Sequence, residues 1–276
     1  MKNRIVDSFK CLKHYCESEH FKGWDPYDGL NSKVFQALPF LKRAAICRLV
    51  VIQGFKRCPI NLRRIALVPK EYNAKGIGLF LSGYCNLYAS LLGSRLLSYC
   101  YHYTRNNTYR DLAGQSIKAC CAGQRQDGAW VYGMLPVQNW VDSFHTGYNL
   151  DALIAYQELT GDRQYNTYIE KGFDYYIRHF FEPDGTPKYF DDKMYPIDIH
   201  CPGQLFVTLA RLHKYDEYAS LAESVLNWTI LKMQDKKGYF YYQLKPSFSS
   251  KISYMRWSNA FMFNAMSHYL MESECI

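Results

Sequence analysis

The stretch Gln126-Asp127-Gly128-Ala129-Trp130-Val131-Tyr132 reads as a tight turn followed by an aromatic tail, and the chain repeats it twice, as Pro183-Asp184-Gly185-Thr186-Pro187-Lys188-Tyr189-Phe190 and as Asp235-Lys236-Lys237-Gly238-Tyr239-Phe240-Tyr241. The three glycines lie 57 and 53 residues apart. Asp next to or near Gly is a turn signal with a mechanism: glycine tolerates positive φ, and the aspartate side chain bonds its own backbone. A repeat of about 50 to 60 residues filled with helix-forming sequence predicts stacked helical hairpins.

Downstream of each turn lies a polar cluster that opens a new helix: Trp140–Thr146, Tyr195–Pro202 and Tyr254–Asn259. The helices predicted after these clusters, Tyr148–Leu159, Gly203–Leu212 and Ala260–Leu270, are apolar on most faces, which is the mark of a buried helix. Their partners, Arg163–Phe180 and Asp216–Met233, are amphipathic and more charged. Buried and exposed helices therefore alternate, as an inner and an outer ring require. Earlier in the chain the same reading predicts an outer helix over residues 4–18, a hairpin of Asn31–Leu38 and Phe40–Gln53, an inner helix over Ile77–Leu92 and an outer helix over Tyr109–Ala122. The expected fold is all-α: an α/α toroid of about five to six helical hairpins with short β-hairpin-like loops, formed as a single domain over residues 1–276. No linker rich in Pro, Gly or Ser divides it.

Composition narrows the function classes. Apolar residues make up 48% of the 276, enough for a sizeable core, and aromatics reach 17%, with 25 Tyr. Tyrosine suits stacking on sugar rings, and it equally fills wide gaps between helices. The net charge of +8 comes with no run of five or more Lys or Arg, so it reads as scattered and argues against a nucleic-acid partner; an anionic sugar polymer, a sugar nucleotide or an anionic membrane surface all suit it. Met1–His20 carries charge throughout and has no apolar core of a signal peptide, and no stretch reads as a transmembrane span, so the expectation is a cytoplasmic protein. The ten cysteines are irregularly spaced without CxxC and read as reduced thiols, with no metal site expected. No GxGxxG, P-loop, GxSxG or HExxH occurs, and no cofactor is expected.

Inner helices of a toroid point the same way, so the segments leading into their N-termini gather at one end. That makes the polar lead-ins the candidate site. His145 follows Asp142 at i, i+3, where the carboxylate could orient the imidazole as a general base; the competing reading makes Asp142 or Ser143 a helix cap and His145 a core residue. Asp198 and His200 repeat the theme one hairpin later. Gly23-Trp24-Asp25-Pro26-Tyr27-Asp28-Gly29 supplies two acids that are either half of a glycosidase pair or turn and cap residues. Arg256 could clamp a carboxylate by bidentate hydrogen bonds, Trp130, Trp140 and Trp257 are either sugar platforms or core residues, and Trp24 is a further substrate-binding candidate. Asn73, Lys75, Tyr132, Tyr148 and Asn259 complete the set. Asp142, His145, His200 and Arg256 are expected in one concave pocket.

Several of these stretches resemble a known group. Residues 23–32 (GWDPYDGLNS) and 69–79 (PKEYNAKGIGL), with QDGAW and DSFHTGYNL, resemble bacterial polysaccharide-biosynthesis proteins of the VpsJ type over roughly residues 21–270. The resemblance implies a cell-surface-glycan context and possible polysaccharide-assembly partners. Residues 140–150 (WVDSFHTGYNL) are similar to an inner-helix motif in the α/α domain of D-glucuronyl C5-epimerases, which carry a β-domain that this chain lacks. The wider toroid superfamily includes unsaturated-uronyl hydrolases, N-acylglucosamine epimerases and polysaccharide lyases.

Three functions follow as expectations. The first is epimerisation or β-elimination at a uronate of an acidic or amino-sugar glycan. His145 or His200 would be the base, Arg256 the group that neutralises the carboxylate, and Tyr148 or Tyr27 the proton donor. The second is a glycoside hydrolase that pairs Asp25 or Asp28 with Asp142 or Asp198. The third is a non-catalytic glycan-binding or assembly factor.

Overall fold

The computed structural model describes residues 2–58, 60–73, 75–77, 80, 96–133 and 136–272. Its helices are α1 (Lys2–Ser18), α2 (Lys33–Gln36), α3 (Pro39–Arg43), α4 (Ala45–Arg57), α5 (Leu96–Thr104), α6 (Asn107–Ala122), α7 (Ser143–Thr160), α8 (Asn166–Phe180), α9 (His200–Leu212), α10 (Ala219–Met233) and α11 (Phe261–Glu272). Strand among the described residues is confined to two-residue pieces, β1 (Ile197–Asp198), β2 (Gln243–Leu244) and β3 (Ser249–Ser250), of which β2 and β3 pair antiparallel. No helix among the described residues is long and apolar enough to cross a membrane. The chain forms two compact units. Unit 1 takes Met1–Leu87, Asp198–His200 and Thr229–Ile276, and unit 2 takes Tyr88–Ile197 and Cys201–Trp228.

The three repeated turns share one construction. Gly128, Gly185 and Gly238 have φ of +98°, +87° and +96°, a region that side-chain-bearing residues rarely adopt. In each, the glycine N–H donates back three residues, to Arg125, Glu182 and Asp235. Asp127, Asp184 and Asp235 each accept a backbone N–H two residues on, at 3.1, 2.9 and 2.9 Å. Isolated bridges close the loops at Gln124 with Trp130, Phe181 with Pro187 and Gln234 with Phe240.

Glycine is required for a second reason. A Cβ on Gly128 would meet the Lys171 carbonyl in α8 at 2.3 Å, one on Gly185 the Ser224 carbonyl in α10 at 2.5 Å, and one on Gly238 the Cys11 carbonyl in α1 at 2.2 Å. Each turn is thus seated on the backbone of the next amphipathic helix, and α1 serves the third turn as α8 and α10 serve the first two. Gln124 and Gln234 repeat the same bonds. Gln124 Nε2 donates to the Gly128 and Tyr168 carbonyls at 3.1 and 2.9 Å, and Gln234 Nε2 to the Gly238 and Ser8 carbonyls at 2.8 and 3.1 Å.

In unit 2 the core is built on α7, whose Leu150 and Leu153 are fully buried, with Tyr176 and Phe180 of α8 and Leu205, Phe206 and Leu209 of α9. A buried polar clamp joins α7 to α9: Gln204 Nε2 donates to Asp151 at 3.2 Å and to Thr208 at 3.0 Å, against the bare face of Gly147. In unit 1, α1 packs on α11, with the Phe9 and Phe263 rings 4.9 Å apart and Ile5, Leu12 and Met266 buried beside them.

The helices expected in the repeated half are present, each within a few residues of its expected span. The expected Ile77–Leu92 helix lies largely outside the described residues. Leu96–Thr104 is an additional helix. The expected hairpin of Asn31–Leu38 and Phe40–Gln53 is instead three pieces, broken where Pro39 starts α3 and where Ala44 is extended. Moreover, α4 has no buried residue, so it is not an inner helix.

Replacing Gly238 with Ala sets a Cβ against the α1 backbone in a left-handed conformation. It should lower the melting temperature by several degrees, the equivalent of about 2 kcal/mol or more, whereas Gly54→Ala, in open space on α4, should leave it unchanged or slightly raised. Thermal melts followed by circular dichroism measure both.

Candidate functional site

Backbone bonds fix which lead-in residues are equivalent. Ser143 N–H donates to the Tyr189 carbonyl at 2.9 Å, and Ile199 N–H to the Tyr242 carbonyl at 3.2 Å. Tyr189 and Tyr242 each stand four residues after their turn glycine, so Asp142 and Asp198 occupy the same repeat position. Each is buried and uses its Oδ1 to accept a helix-opening N–H: Asp142 from His145 at 2.9 Å and Asp198 from His200 at 3.0 Å. The histidines are not equivalent. His145 follows its aspartate by three residues and His200 by two, about 100° apart around a helix. The residue two after Asp142 is Phe144, also buried.

That one-residue offset gives the histidines different surroundings. His145 is 40% exposed at its side chain, with Nδ1 2.8 Å from both carboxylate oxygens of Asp142. A carboxylate accepting from Nδ1–H fixes the tautomer with the ring proton on Nδ1 and leaves the Nε2 lone pair as the acceptor. Asp142 also accepts from Trp140 Nε1 at 3.3 Å, so one carboxylate both caps α7 and contacts the His145 ring. Tyr132 stacks on Trp140 with centroids 4.6 Å apart and meets His145 edge-on at 4.7 Å, and the half-buried Tyr148 ring lies 5.8 Å from the imidazole. Trp130 belongs to the packing: it is buried, its ring covers Gly172 and its Nε1 donates to the Cys120 carbonyl at 2.9 Å.

His200, in unit 1, is only 2% exposed and stacks on Phe261 at 4.0 Å and against Trp257 at 4.4 Å. Its Nδ1 is 3.8 Å from Asp198. Asp198 accepts from Trp257 Nε1 at 3.0 Å and Gln243 Nε2 at 3.2 Å. Burial pushes its carboxyl up to about 6 in spite of these bonds.

The remaining candidates also gather in unit 1. Asp25 pairs with Arg256, whose guanidinium lies 5.1 Å over Trp257. Gly76 packs on Arg256, and desolvation followed by the Arg256 charge draws the neighbouring Lys75 ammonium below its ordinary pKa, although the side chain as a whole is exposed. Asn73 accepts from the Gly76 N–H at 3.2 Å. Tyr27 is exposed, edge-on to Trp257 at 6.3 Å, with Lys56 donating to its hydroxyl at 2.9 Å. Asp28 has a structural partner that the sequence did not reveal: the fully buried Arg63, whose Nε donates to it at 2.7 Å and whose guanidinium also reaches the Asp25 carbonyl at 3.1 Å. Burial raises the Asp28 carboxyl against the pull of that arginine. Asn259 is buried and structural too, accepting from Phe240 N–H and donating to Ser253 at 2.9 and 2.8 Å. Trp24 donates to the Val68 carbonyl at 3.0 Å.

Trp24 also lines a cleft of about 570 Å³ within unit 1 that the sequence did not expose. Its cations are Lys22, Arg64, Lys70, Lys237 and Lys251, opposed by Glu19, which pairs with Lys70. Tyr15 and Tyr239, 5.0 Å apart, form an aromatic wall. These residues come from segments more than 200 positions apart, so no local motif marks them. Among the described residues no three His, Cys, Asp or Glu are grouped to hold a metal ion.

No protein-family pattern and no curated protein sequence matches the chain. Solved structures do. An unsaturated glucuronyl hydrolase from Streptococcus agalactiae superposes with TM-score 0.56 at 11% identity, covering 98% of this chain and 92% of that one. A polysaccharide lyase gives 0.55 at 11% identity over 100% and 99% of the two chains. A glycosyl hydrolase family 88 protein from Bacteroides vulgatus gives 0.53 at 10% identity over 99% of each. At this identity the likeness shows the fold alone, and the chain has the α/α-toroid fold.

Two substitutions separate the roles described here. Asn keeps one acceptor for the cap but would set its amide N–H groups against the part-buried Trp140 indole N–H, so Asp142→Asn should cost about 1 kcal/mol and Asp142→Ala, which loses the cap as well, about 2 kcal/mol or more, measured by denaturant unfolding. Asp198 holds its proton more tightly folded than unfolded, so its contribution is present below pH 4 and is lost as pH rises through about 6. Asp198→Asn should therefore flatten the fall in stability between pH 4 and pH 6.5, by roughly 2–3 kcal/mol across that window in the same titration.

Proposed function

We propose that this chain is a carbohydrate-active protein of cell-surface polysaccharide biosynthesis, acting in the cytoplasm on an acidic or amino-sugar glycan by epimerisation or β-elimination at a uronate. The observation that carries the reading is the Asp142–His145 pair: a part-exposed imidazole, oriented through Nδ1 by a buried carboxylate, walled by Tyr132 and Tyr148. Such a group can serve as a general base through Nε2. The cationic, aromatic cleft of unit 1 favours an acidic glycan over a neutral one. The similar structures include a polysaccharide lyase and an unsaturated glucuronyl hydrolase by title, which agrees with a uronate as the reacting sugar.

In this reading His145 Nε2 takes the C5 proton of a uronate, and the bonding pair passes into the adjacent carboxylate as an enolate-like form. Return of a proton to the opposite face, from the Tyr148 hydroxyl, completes an epimerisation. Expulsion of the C4 oxygen, protonated as it leaves, completes an elimination. His200 is a poorer base because it is buried against Phe261. Within unit 1 taken by itself, Arg256 and Lys75 are the groups suited to bind an acidic sugar, whose carboxylate would replace Asp25 on Arg256.

A hydrolase is the second reading, favoured by the hydrolase titles among the similar structures; Asp198, whose carboxyl burial raises to about 6, would have to be uncovered to act as its acid. Asp28 is a poor partner for it, because Arg63 holds that carboxylate.

Incubation with acidic oligosaccharides in heavy water separates the outcomes. Deuterium at C5 marks epimerisation, an ultraviolet-absorbing product marks elimination, and new reducing ends without absorbance mark hydrolysis. His145→Ala should lower turnover by 10²-fold or more with little change in melting temperature. Absence of all three signals, with binding retained, would leave the non-catalytic assembly factor as the function.

A further inference from the structure

Counted by runs, the basic residues look scattered; counted against acids, they are not. Residues 33–67 hold Lys33, Lys42 and Lys56 with Arg43, Arg48, Arg57, Arg63 and Arg64, and not one Asp or Glu. The remaining 25 Lys and Arg are matched by the chain's 25 Asp and Glu, so these 35 residues hold the entire net charge of +8. Among the described residues only Arg63 of the eight has a carboxylate partner, Asp28.

Apolar side chains are exposed in the same stretch. On α4, Ile46, Leu49 and Val50 stand at i, i+3 and i+4 and are 66, 53 and 62% exposed. Arg57 lies three turns after Ile46 on that face, and Arg43 ends α3 just before the extended Ala44 that leads into α4; both are exposed. Phe40, Ile60 and Ile65 are exposed nearby in sequence. Elsewhere in the chain, most exposed large apolar side chains are tyrosines, whose hydroxyls tolerate water.

A helix that turns aliphatic residues to solvent between arginines needs a partner that is apolar and anionic together. Nucleic acid supplies the charge without any use for the aliphatic stripe. A two-fold contact with a second copy would bury the stripe but set the cations beside it, Arg43 and Arg57, against their own copies. An anionic bilayer meets both demands, with aliphatics entering the headgroup–acyl boundary and cations resting on the headgroups. We propose that the Lys33–Leu67 face docks this protein on an anionic lipid bilayer, Ile46, Leu49 and Val50 of α4 entering its interface and Arg43 and Arg57 engaging its headgroups. This goes beyond the proposed function and does not depend on it.

Sedimentation of the full chain with vesicles tests the proposal. Phosphatidylcholine vesicles containing about one-third phosphatidylglycerol should bind it at least tenfold more tightly than phosphatidylcholine alone, with release as salt rises from about 0.05 to 0.5 M. The triple variant Ile46→Ser, Leu49→Ser, Val50→Ser should bind about tenfold more weakly at low salt. Arg43→Gln with Arg57→Gln should bind more weakly and lose part of the salt dependence. All five sites are exposed, so both variants should melt as the parent chain does. Equal binding to both vesicle types, or parent-like binding by both variants, would overturn the proposal. So would a dimer in solution that the serine variant dissociates, or duplex DNA binding lost in the arginine variant while vesicle binding persists.

Discussion

Three glycines held at positive φ, each pressed on a carbonyl of a neighbouring helix, set the spacing of this molecule. A turn that ends an amphipathic helix can reach the next one only where no Cβ intervenes, and only glycine meets that condition while also adopting the left-handed backbone. The distance from turn to neighbouring helix is then a backbone-to-backbone distance, insensitive to side-chain choice. The last of these contacts, Gly238 on Cys11, ties residues 227 positions apart and makes the N-terminal helix part of the repeat.

Everything chemical follows from what those turns position. The aromatic tail after Gly185 offers the Tyr189 carbonyl to Ser143, and the tail after Gly238 offers the Tyr242 carbonyl to Ile199. The preceding aspartates are thereby buried at the start of α7 and α9, where helix N–H groups stabilise a carboxylate. Asp142 has N–H donors from backbone, indole and imidazole. Asp198 has donors of backbone, indole and amide type, and burial raises its carboxyl to about 6. Two copies of one position have come to hold different partners: a part-exposed imidazole at Asp142, and an indole and an amide at Asp198.

Part of the candidate site was legible because it is local. Asp142 and His145 are three residues apart at a helix start, and cap and orienting partner both follow from that spacing. Asp25 and Arg256 were each recognisable, but their pairing was not, since 231 positions separate them. Arg63 was invisible: a single arginine in a basic stretch gives no sign that it is fully buried between Asp28 and the face of Tyr254. The cleft around Lys70, Lys237 and Tyr239 is likewise a product of long-range folding.

The sequence alone determined the all-helical repeat, its period and its turns, because Asp-Gly chemistry and the alternation of apolar with amphipathic helices are written within a few residues of one another. Tertiary structure decided which of two similar His–Asp pairs is accessible: a one-residue offset turns a helical side chain by about 100°, and only the packing of Phe261 and Trp257 around His200 makes that angle matter. It decided, too, that the apolar residues of α4 face solvent, since periodicity shows that a helix has an apolar face but not whether anything in the chain covers it.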